Sequence, residues 1–269
     1  MPNIFRNIRK QLASENKTAA YLRYALGEIL LVVIGILIAL QVNNWNENRK
    51  DHIREVQYLN NLKQDLEQQV VNIDAQLDFE KRIVKISNSL IKTYNANQRF
   101  PEESDVFLKI SNIAPRKTFR SVNATFSDME SSGALNLITD PVLRKEIINY
   151  YQDLDTKQAI IQHNNNMVDN IDIKQILDKT LFTTSKYNHL IYKLLKINKN
   201  VFDVDTLANV SNPELYKHLY SWINESQNQT ALLNSIIFRE NLSIAHIAVM
   251  SPAKEQTLRL IKEINAQLN

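Results

Sequence analysis

Residues 27–45 read GEILLVVIGILIALQVNNW, and within them residues 29–40 form an unbroken run that is apolar apart from Gly35. The flanking residues extend this run to residues 24–45, about 22 residues or roughly 33 Å of helix. A membrane-spanning helix needs about 20 apolar residues. The run also lacks the polar face that a core helix turns to solvent. We therefore predict that residues 24–45 form a transmembrane helix.

Aromatic residues mark both ends of the predicted span. Tyr21 and Tyr24 lie at its start and Trp45 at its end, where aromatic side chains anchor a helix at the bilayer surface. A basic stretch followed by a short apolar run is also the pattern of a cleaved signal peptide. The end of the apolar run, ALQVNN at residues 39–44, offers no small-x-small cleavage site, which favours an uncleaved anchor.

The distribution of lysine and arginine predicts the orientation of the anchor. Residues 1–24 carry five such residues and one glutamate, a net +4, whereas only three lie just after the span. Basic flanks remain in the cytoplasm. We therefore predict a basic cytoplasmic tail over residues 1–23, an anchor in the cytoplasmic (inner) membrane, and an extracytoplasmic helical domain over residues 46–269 in the periplasm. The tail either lies on the anionic inner surface of the membrane or is simply solvated.

Four residues of the span are candidates for contact with another membrane helix: Gly27, Glu28, Gly35 and Ala39. Gly35 and Ala39 have the small-xxx-small spacing that lets two membrane helices approach closely. Glu28 is a carboxylate at the edge of the apolar run, and intramembrane carboxylates are functional candidates. Alternatively, Glu28 reaches the interface or pairs with Arg23.

The composition outside the span favours helices. The chain has three glycines and no cysteine among 269 residues, too few glycines for the many tight turns of a sheet. Apolar residues recur every seven positions over residues 53–94, as in the series Leu59, Leu66 and Ile73 and in a parallel series that begins at Val70. This broad stripe predicts packing within a helical bundle, with a parallel oligomeric stalk as the alternative.

Shorter helices are expected further along the chain. Residues 100–125 interrupt the periodicity, with room for a short helix near residues 104–113. The next short helix is predicted to close at Gly133, and Asp140 is predicted to cap a helix that runs to about His163 or beyond. Further helical patterns occupy residues 169–180, 185–195, 213–250 and 252–268, the last with Ser251-Pro252 as its start. The predicted fold is all-α: one N-terminal transmembrane helix continuing into a long helix, followed by a helical-bundle soluble domain.

No motif for catalysis, metal binding or cofactor binding stands out. The five histidines form no HExxH or HxH pair, and three glycines cannot supply a phosphate-binding loop. We expect each histidine to be a surface residue or a satisfied core residue. The chain has a net charge of +3, but the residues after the tail have a net charge of −1, so no nucleic-acid partner is expected.

Several aromatic residues recur at near-helical spacing: Tyr150, Tyr151, Tyr216, Tyr220 and Trp222. We expect them to pack in the core, and the alternative is that they line a ligand pocket between helices.

Two parts of the chain resemble a known family. They are SENK at residues 14–17 with GEILLVVIGILIALQVNNWNE at residues 27–47, and a central segment that contains Phe126, Ser132-Gly133, Leu137-Ile138 and residues 148–151. They resemble a family of uncharacterised single-pass membrane proteins from Bacteroidota, domain of unknown function 6090. The resemblance implies a Gram-negative envelope location and no particular activity.

The sequence favours one function and leaves one alternative. The first is a membrane-anchored helical protein that acts through protein–protein interaction, as an envelope scaffold or accessory subunit, with the lipid bilayer and a protein partner or second copy as its contacts. The alternative is an extracytoplasmic helical bundle that senses an unknown small ligand and signals through a membrane partner. We expect no enzymatic activity.

Overall fold

The computed structural model describes residues 18–102, 105–168 and 213–268. Within these ranges the chain is helical and contains no strand, so the all-α prediction is confirmed. The predicted tail and the predicted helices near residues 169–180 and 185–195 lie wholly or largely outside the described residues. The α-helices are α1 (Thr18–Asn97), α2 (Val106–Ile113), α3 (Ala124–Ser132), α4 (Pro141–Val168), α5 (Pro213–Ile223) and α6 (Ser226–Leu268), with a 3₁₀ turn at Ala134–Leu137.

Backbone contacts divide the chain into two units, Met1–Tyr58 and Leu59–Asn269. In the first unit, the described part is the N-terminal portion of α1. From Ala25 onward this helix is long and apolar enough to cross a membrane, and it is the one such helix in the described ranges. Its most apolar window has a mean hydropathy of 2.5 and is 0% buried. The prediction of a helix able to span a membrane is therefore supported.

In the second unit, α1 buries one narrow seam of side chains. The predicted series Leu59, Leu66 and Ile73 is buried, whereas in the parallel series only Leu77 is buried. Buried positions alternate at spacings of three and four residues, as expected for one face of a helix. The positions with this spacing are Leu59, Leu62, Leu66, Gln69, Ile73, Gln76, Glu80, Ile83, Ser87 and Leu90, of which four are polar, and Leu77 is buried beside them.

Two helix boundaries follow local rules and confirm the prediction. Gly133 ends α3 with φ 74°, a left-handed conformation that glycine adopts without strain. Asp140 caps α4, since its Oδ1 accepts hydrogen bonds from the backbone N–H groups of Val142 (2.7 Å) and Leu143 (3.3 Å). Pro141 occupies the first helical position, where its missing N–H costs nothing.

The boundary predicted at Pro252 is wrong. Helix α6 runs through Pro252, although the ring removes one backbone hydrogen bond. Met250 and Ala253 are buried on either side of it, so tertiary packing outweighs the local penalty. Ser251, predicted as a cap, instead donates its hydroxyl to the carbonyl of Ile247 at 2.8 Å.

A break that was not predicted lies inside residues 213–250. Helix α5 ends at Ile223, and α6 begins at Ser226. The side-chain amide of Asn224 bonds to backbone groups at this break, in competition with helical hydrogen bonds. Its Nδ2 donates to the carbonyls of Tyr220 (2.8 Å) and Phe100 (2.9 Å). Its Oδ1 accepts from the N–H of Phe100 (2.8 Å). The amide therefore ends α5 and ties it to the residues that follow α1.

The apolar core of the second unit surrounds α2 and α5. Phe107 and Tyr220 meet edge to face there at 4.8 Å, and Trp222 packs against the same cluster. Tyr151 instead stacks on Phe126 at 4.3 Å. The predicted aromatic group thus packs in separate places, in agreement with core packing.

Candidate functional sites

The predicted membrane-helix residues lie on the exposed surface of α1. Gly27, Gly35 and Ala39 are exposed, Glu28 is partly exposed, and Trp45 is 67% exposed. A Cβ atom added at either glycine meets no atom of the chain within 4 Å. A Cβ atom is therefore accommodated at both positions without a clash. The side chains of the predicted anchors Tyr21 and Tyr24 lie outside the described residues.

A buried polar network surrounds Glu80 in the second unit. Its Oε1 lies 2.9 Å from Nδ1 of His246 and accepts from Nε2 of Gln76 at 2.8 Å. Its Oε2 accepts from Oγ of Ser243 at 2.8 Å and lies 3.4 Å from Nη1 of Arg239. The two charged side chains are each 1% exposed, so the ion pair is buried.

The charge of Glu80 is stabilised by its partners. Burial alone raises the pKa of this carboxyl and is the largest single effect. The hydrogen bond to His246, the charge of Arg239 and the bond from Ser243 together outweigh burial and leave the pKa below its ordinary value. Burial lowers the pKa of Arg239, although the guanidinium still carries a full charge at neutral pH.

The network contains the residue types of a hydrolytic triad but not its arrangement. Ser243 and His246 both bond to Glu80, whereas a triad needs a hydrogen bond from the nucleophile to the histidine. All three side chains are at most 1% exposed, which leaves no route for a substrate. Nε2 of His246 and Oε1 of Gln76 have no hydrogen-bond partner in the described ranges. We interpret the network as structural.

Sequence reasoning missed this network, although α1 carries a signal for it. Glu80 follows Ile73 by seven residues and therefore continues the series Leu59, Leu66, Ile73 at a position where the pattern calls for an apolar residue. A charged residue on a buried face requires a partner. The identity of that partner, Arg239, is not evident from any local spacing.

An irregular segment, residues 114–123, lies between α2 and α3 and is called the strap below. Its backbone is bound by side chains of the long helices rather than by a neighbouring strand. Arg239 of α6 donates to the carbonyls of Ile113 (3.0 Å) and Pro115 (3.2 Å), and Asn165 of α4 donates to the carbonyl of Lys117 (3.1 Å). Backbone polar groups that leave water need such partners.

The second half of the strap is bound in the same way. Gln158 of α4 accepts from the N–H of Ser121 at 2.8 Å, and Gln69 of α1 accepts from the N–H of Val122 at 2.6 Å. Just beyond it, Asp65 of α1 accepts from the N–H of Thr125 at 2.9 Å and thereby caps the start of α3. Polar residues on three helices therefore determine where the strap lies.

A cavity of about 500 Å³ lies beside the strap. Among the described residues that line it, Arg116 is charged and donates to the carbonyl of Asn165 at 2.9 Å. The uncharged polar side chains among these lining residues are three carboxamides and one hydroxyl. The lining residues are Ala114, Pro115, Arg116, Thr118, Gln162, Asn165 and Asn166.

A groove of about 330 Å³ between α4 and α6 has a different character. Glu146 and Glu263 meet across it, and their shared hydrogen bond raises the pKa of Glu263, with smaller contributions from burial and from the charge of Glu146. Lys157 contacts Asp153 on the same wall. Tyr150 also lines the groove; its hydroxyl bonds to Thr257 at 2.9 Å, and burial raises its pKa to about 12. The groove is a polar surface between two packed helices.

Fold and sites together define an all-helical protein with one N-terminal helix able to cross a membrane. The sequence profile of a family of unknown function, DUF6090, matches residues 28–170, and the chain belongs to this family. The match covers Glu80 and the strap but not the three residues of α6 that complete the network. No solved structure matches the chain.

Proposed function

We propose that this protein is a single-pass, membrane-anchored helical scaffold or accessory subunit of the cell envelope that acts through protein–protein interaction. The observation that supports this proposal is the exposed apolar segment of α1. Its side chains are 46–70% exposed between Ile29 and Leu40, apart from the small residues, and its most apolar window is 0% buried among the described residues. Soluble proteins rarely leave such a surface uncovered. Either lipid or another membrane helix would bury this apolar surface.

The proposed topology follows the basic residues. Residues 1–23 lie in the cytoplasm, residues 24–45 cross the inner membrane, and residues 46–269 lie in the periplasm. In this arrangement the bilayer covers most of the apolar surface. Gly35 and Ala39 provide a strip on which a second helix, from a partner or another copy, comes close.

The absence of catalysis is part of the proposal. Its support comes from the network around Glu80, in which the nucleophile and the base are buried and do not contact each other. In the described ranges, no group of three or more His, Asp or Glu residues is placed to hold a metal ion. Interaction without chemistry accounts for these features with the fewest assumptions.

The test is affinity purification of the full-length protein from membranes in mild detergent, followed by crosslinking and mass spectrometry. We expect a reproducible partner or crosslinks between copies. A matched chain whose residues 24–45 are replaced by polyleucine of equal length keeps the anchor but removes the small residues. Loss of the crosslinks in that chain assigns the contact to the span, and their persistence assigns it to residues 46–269. Recovery of the unmodified chain as a monomer with no reproducible partner overturns the proposal.

A second candidate function is a sensor that binds a small ligand outside the cytoplasm. The observation in its favour is the cavity beside the strap, whose volume lies within the usual range of about 300–1,000 Å³ for ligand sites. Thermal-shift screening of the full-length protein against small polar solutes tests it. A flat response to all of them would leave the scaffold as the single candidate.

A further inference from the structure

We infer that residues 45–53 of α1, which follow the predicted span and are called the collar below, bind the phosphate groups of anionic phospholipids. The inference rests on the proposed function, because it requires that residues 24–45 cross the membrane. It adds the class of lipid that the chain prefers, and it does not depend on the protein partner of the scaffold. Three properties of the collar support it: its depth, the arrangement of its charges around the helix, and the exposure of its side chains.

The collar lies at the depth of the lipid headgroups. Helix α1 runs without a break through the predicted span and the collar. At about 1.5 Å per residue, Arg49 and Lys50 lie roughly 6 Å and 7.5 Å beyond Trp45 along the helix axis. The headgroup layer is about 5–7.5 Å thick on each side of the hydrocarbon core. With Trp45 at the edge of that core, where interfacial aromatic residues lie, both cations are level with the phosphates.

The charges of the collar are separated around the helix. At about 100° per residue, Trp45, Arg49 and Lys50 fall within an arc of about 140°, which is called the cationic arc. Glu47 and Asp51 lie about 200° and 240° from Trp45, on the other side of the helix. A phosphate that approaches the cationic arc therefore meets the two cations before it meets either carboxylate.

The two carboxylates have polar partners on their own side of the helix. Oε1 of Glu47 accepts from Nδ2 of Asn43 at 3.2 Å, and Oδ1 of Asp51 lies 3.5 Å from Nη1 of Arg54. Arg54 lies about 180° from Trp45, so its charge is on the acidic side and is offset there by Asp51. Residues 43–54 contain three basic and two acidic residues, a net charge of +1. The surplus positive charge lies on the cationic arc.

The side chains of the cationic arc are open to lipid. Arg49 and Lys50 are exposed, Trp45 is 67% exposed, and Ile53 in the same arc is 48% exposed. Nη2 of Arg49 lies 3.5 Å from Oδ1 of Asn46, a neutral group that does not offset the charge of the guanidinium. A guanidinium forms charge-assisted hydrogen bonds with phosphate, and an ammonium binds phosphate as a point charge. The arc thus combines two phosphate-binding groups with an interfacial aromatic ring.

The cationic arc favours lipids with a net negative charge. Phosphatidylglycerol has an uncompensated phosphate, whereas phosphatidylcholine has a phosphate and a trimethylammonium group of opposite charge. A Lys or Arg side chain near an anionic surface raises the affinity for that surface roughly fivefold. The attraction reaches over about 10 Å at 0.1 M salt and about 3 Å at 1 M salt. The preference for the anionic lipid should therefore be lost in concentrated salt.

The experiment measures quenching of Trp45 fluorescence by brominated lipid. The full-length protein is reconstituted into vesicles of phosphatidylglycerol and phosphatidylcholine, and each lipid in turn is supplied in brominated form. The chain has two tryptophans, so Trp222→Phe leaves Trp45 as the one fluorophore of this type. The dependence of quenching on mole fraction gives the relative affinity of the two lipids. We expect phosphatidylglycerol to be favoured at least about threefold at 0.1 M salt and neither lipid to be favoured at 1 M salt.

Two variants and one control locate the site. Arg49→Gln and Lys50→Gln each remove one cation of the arc and are expected to reduce the preference, and the double variant should abolish it. Arg54→Gln is the matched control, since it removes a nearby cation that pairs with Asp51, and it is expected to retain the preference. All three residues are exposed, so the fold should persist, and an unchanged unfolding midpoint checks this. The chain that retains Trp222 is measured in parallel and should give the same ratio, because Trp222 packs against the apolar core of the second unit.

Several results would overturn the inference. These are equal quenching by the two brominated lipids at 0.1 M salt, a preference that survives in 1 M salt or in the double variant, and an equal loss of preference in Arg54→Gln. In each of them Trp45 still contacts lipid, so the membrane anchor of the proposed function stands. The absence of quenching by either lipid would instead overturn the anchor and this inference together, so the two failures are distinguishable.

Discussion

Nδ1 of His246 lies 2.9 Å from Oε1 of Glu80, and the two residues are 166 positions apart in the chain. The same carboxylate binds Ser243 and faces Arg239, so one residue of α1 organises a polar face of α6. Arg239 also donates to the backbone carbonyls of Ile113 and Pro115, where the chain leaves α2 and enters the strap. A single buried ion pair thus couples two long helices to the irregular segment that lines the cavity.

Glu80→Gln is expected to destabilise the protein by about 3–5 kcal/mol, because it leaves the charge of Arg239 buried without its counter-charge. The free energy of unfolding of the full-length protein, measured by denaturant titration, checks this. Glu130→Gln, an exchange on the exposed surface of α3, serves as the control and should stay within about 0.5 kcal/mol. Similar values for the two variants would show that the pair contributes little.

The lowered pKa of Glu80 predicts a pH dependence. A carboxyl whose pKa is lower in the folded state stabilises the fold above its unfolded pKa, and this contribution is lost as the pH falls from about 4.5 toward the folded value. We expect the unfolding free energy to decrease on acidification below that point, and Glu80→Gln to flatten the decrease. The same decrease of the unfolding free energy on acidification in the variant and in the unmodified protein would show that Glu80 does not cause it.

The carboxyl pair Glu146 and Glu263 at the groove predicts a pH dependence of stability opposite to that of Glu80. The pKa of Glu263 is raised by its hydrogen bond to Glu146, so the contact is favourable when a proton is shared and is weakened as the pH rises. Glu263→Gln supplies a permanent donor and is expected to raise the unfolding midpoint at pH 7 but not at pH 4. Because Glu146 is exposed and Glu263 is partly exposed, solvent screens their interaction and the effect should be small. An equal shift at the two pH values would point to another cause.

Pro252→Ala is expected to stabilise the protein by about 1 kcal/mol or more. Alanine supplies the backbone N–H that the helix lacks there, and this gain exceeds the loss of the entropic benefit that proline brings to the unfolded chain. Chemical denaturation measures the change. Pro141→Ala is the matched control, since proline at the first helical position breaks no hydrogen bond and its exchange should be near neutral. Destabilisation by Pro252→Ala would mean that the ring itself is needed in the packing.

Gly35→Leu is expected to weaken self-association in nanodiscs roughly fivefold, if copies approach along the small residues of the span. A Cβ atom at position 35 meets no atom of its own chain within 4 Å, and residue 35 is exposed, so we expect the fold of the monomer to be unchanged. Leu37→Ile is the control: it lies about 200° around the helix and keeps the apolar surface. Crosslinking yield between copies is the measurement. An unchanged yield in Gly35→Leu would place the contact elsewhere.

The features that were predicted correctly depend on residues close together in the chain. The apolar run at residues 29–40, the left-handed Gly133 and the cap formed by Asp140 each act over a few residues, where sterics and hydrogen bonding to the neighbouring turn decide the outcome. The buried series Leu59, Leu66 and Ile73 follows from the period of the helix. For these, the amino-acid order alone is sufficient.

The tertiary structure decided the rest. Pro252 remains inside a helix because buried neighbours on both sides outweigh one lost hydrogen bond, and Asn224 ends a helix because Phe100 offers it backbone partners. Glu80 and Arg239 pair across 159 positions, a distance in sequence over which no pattern specifies a partner. Once these contacts place the strap, the cavity beside it follows. The sequence by itself therefore determined an exposed apolar helix and an all-α domain, and only packing between distant helices decided which polar residues meet.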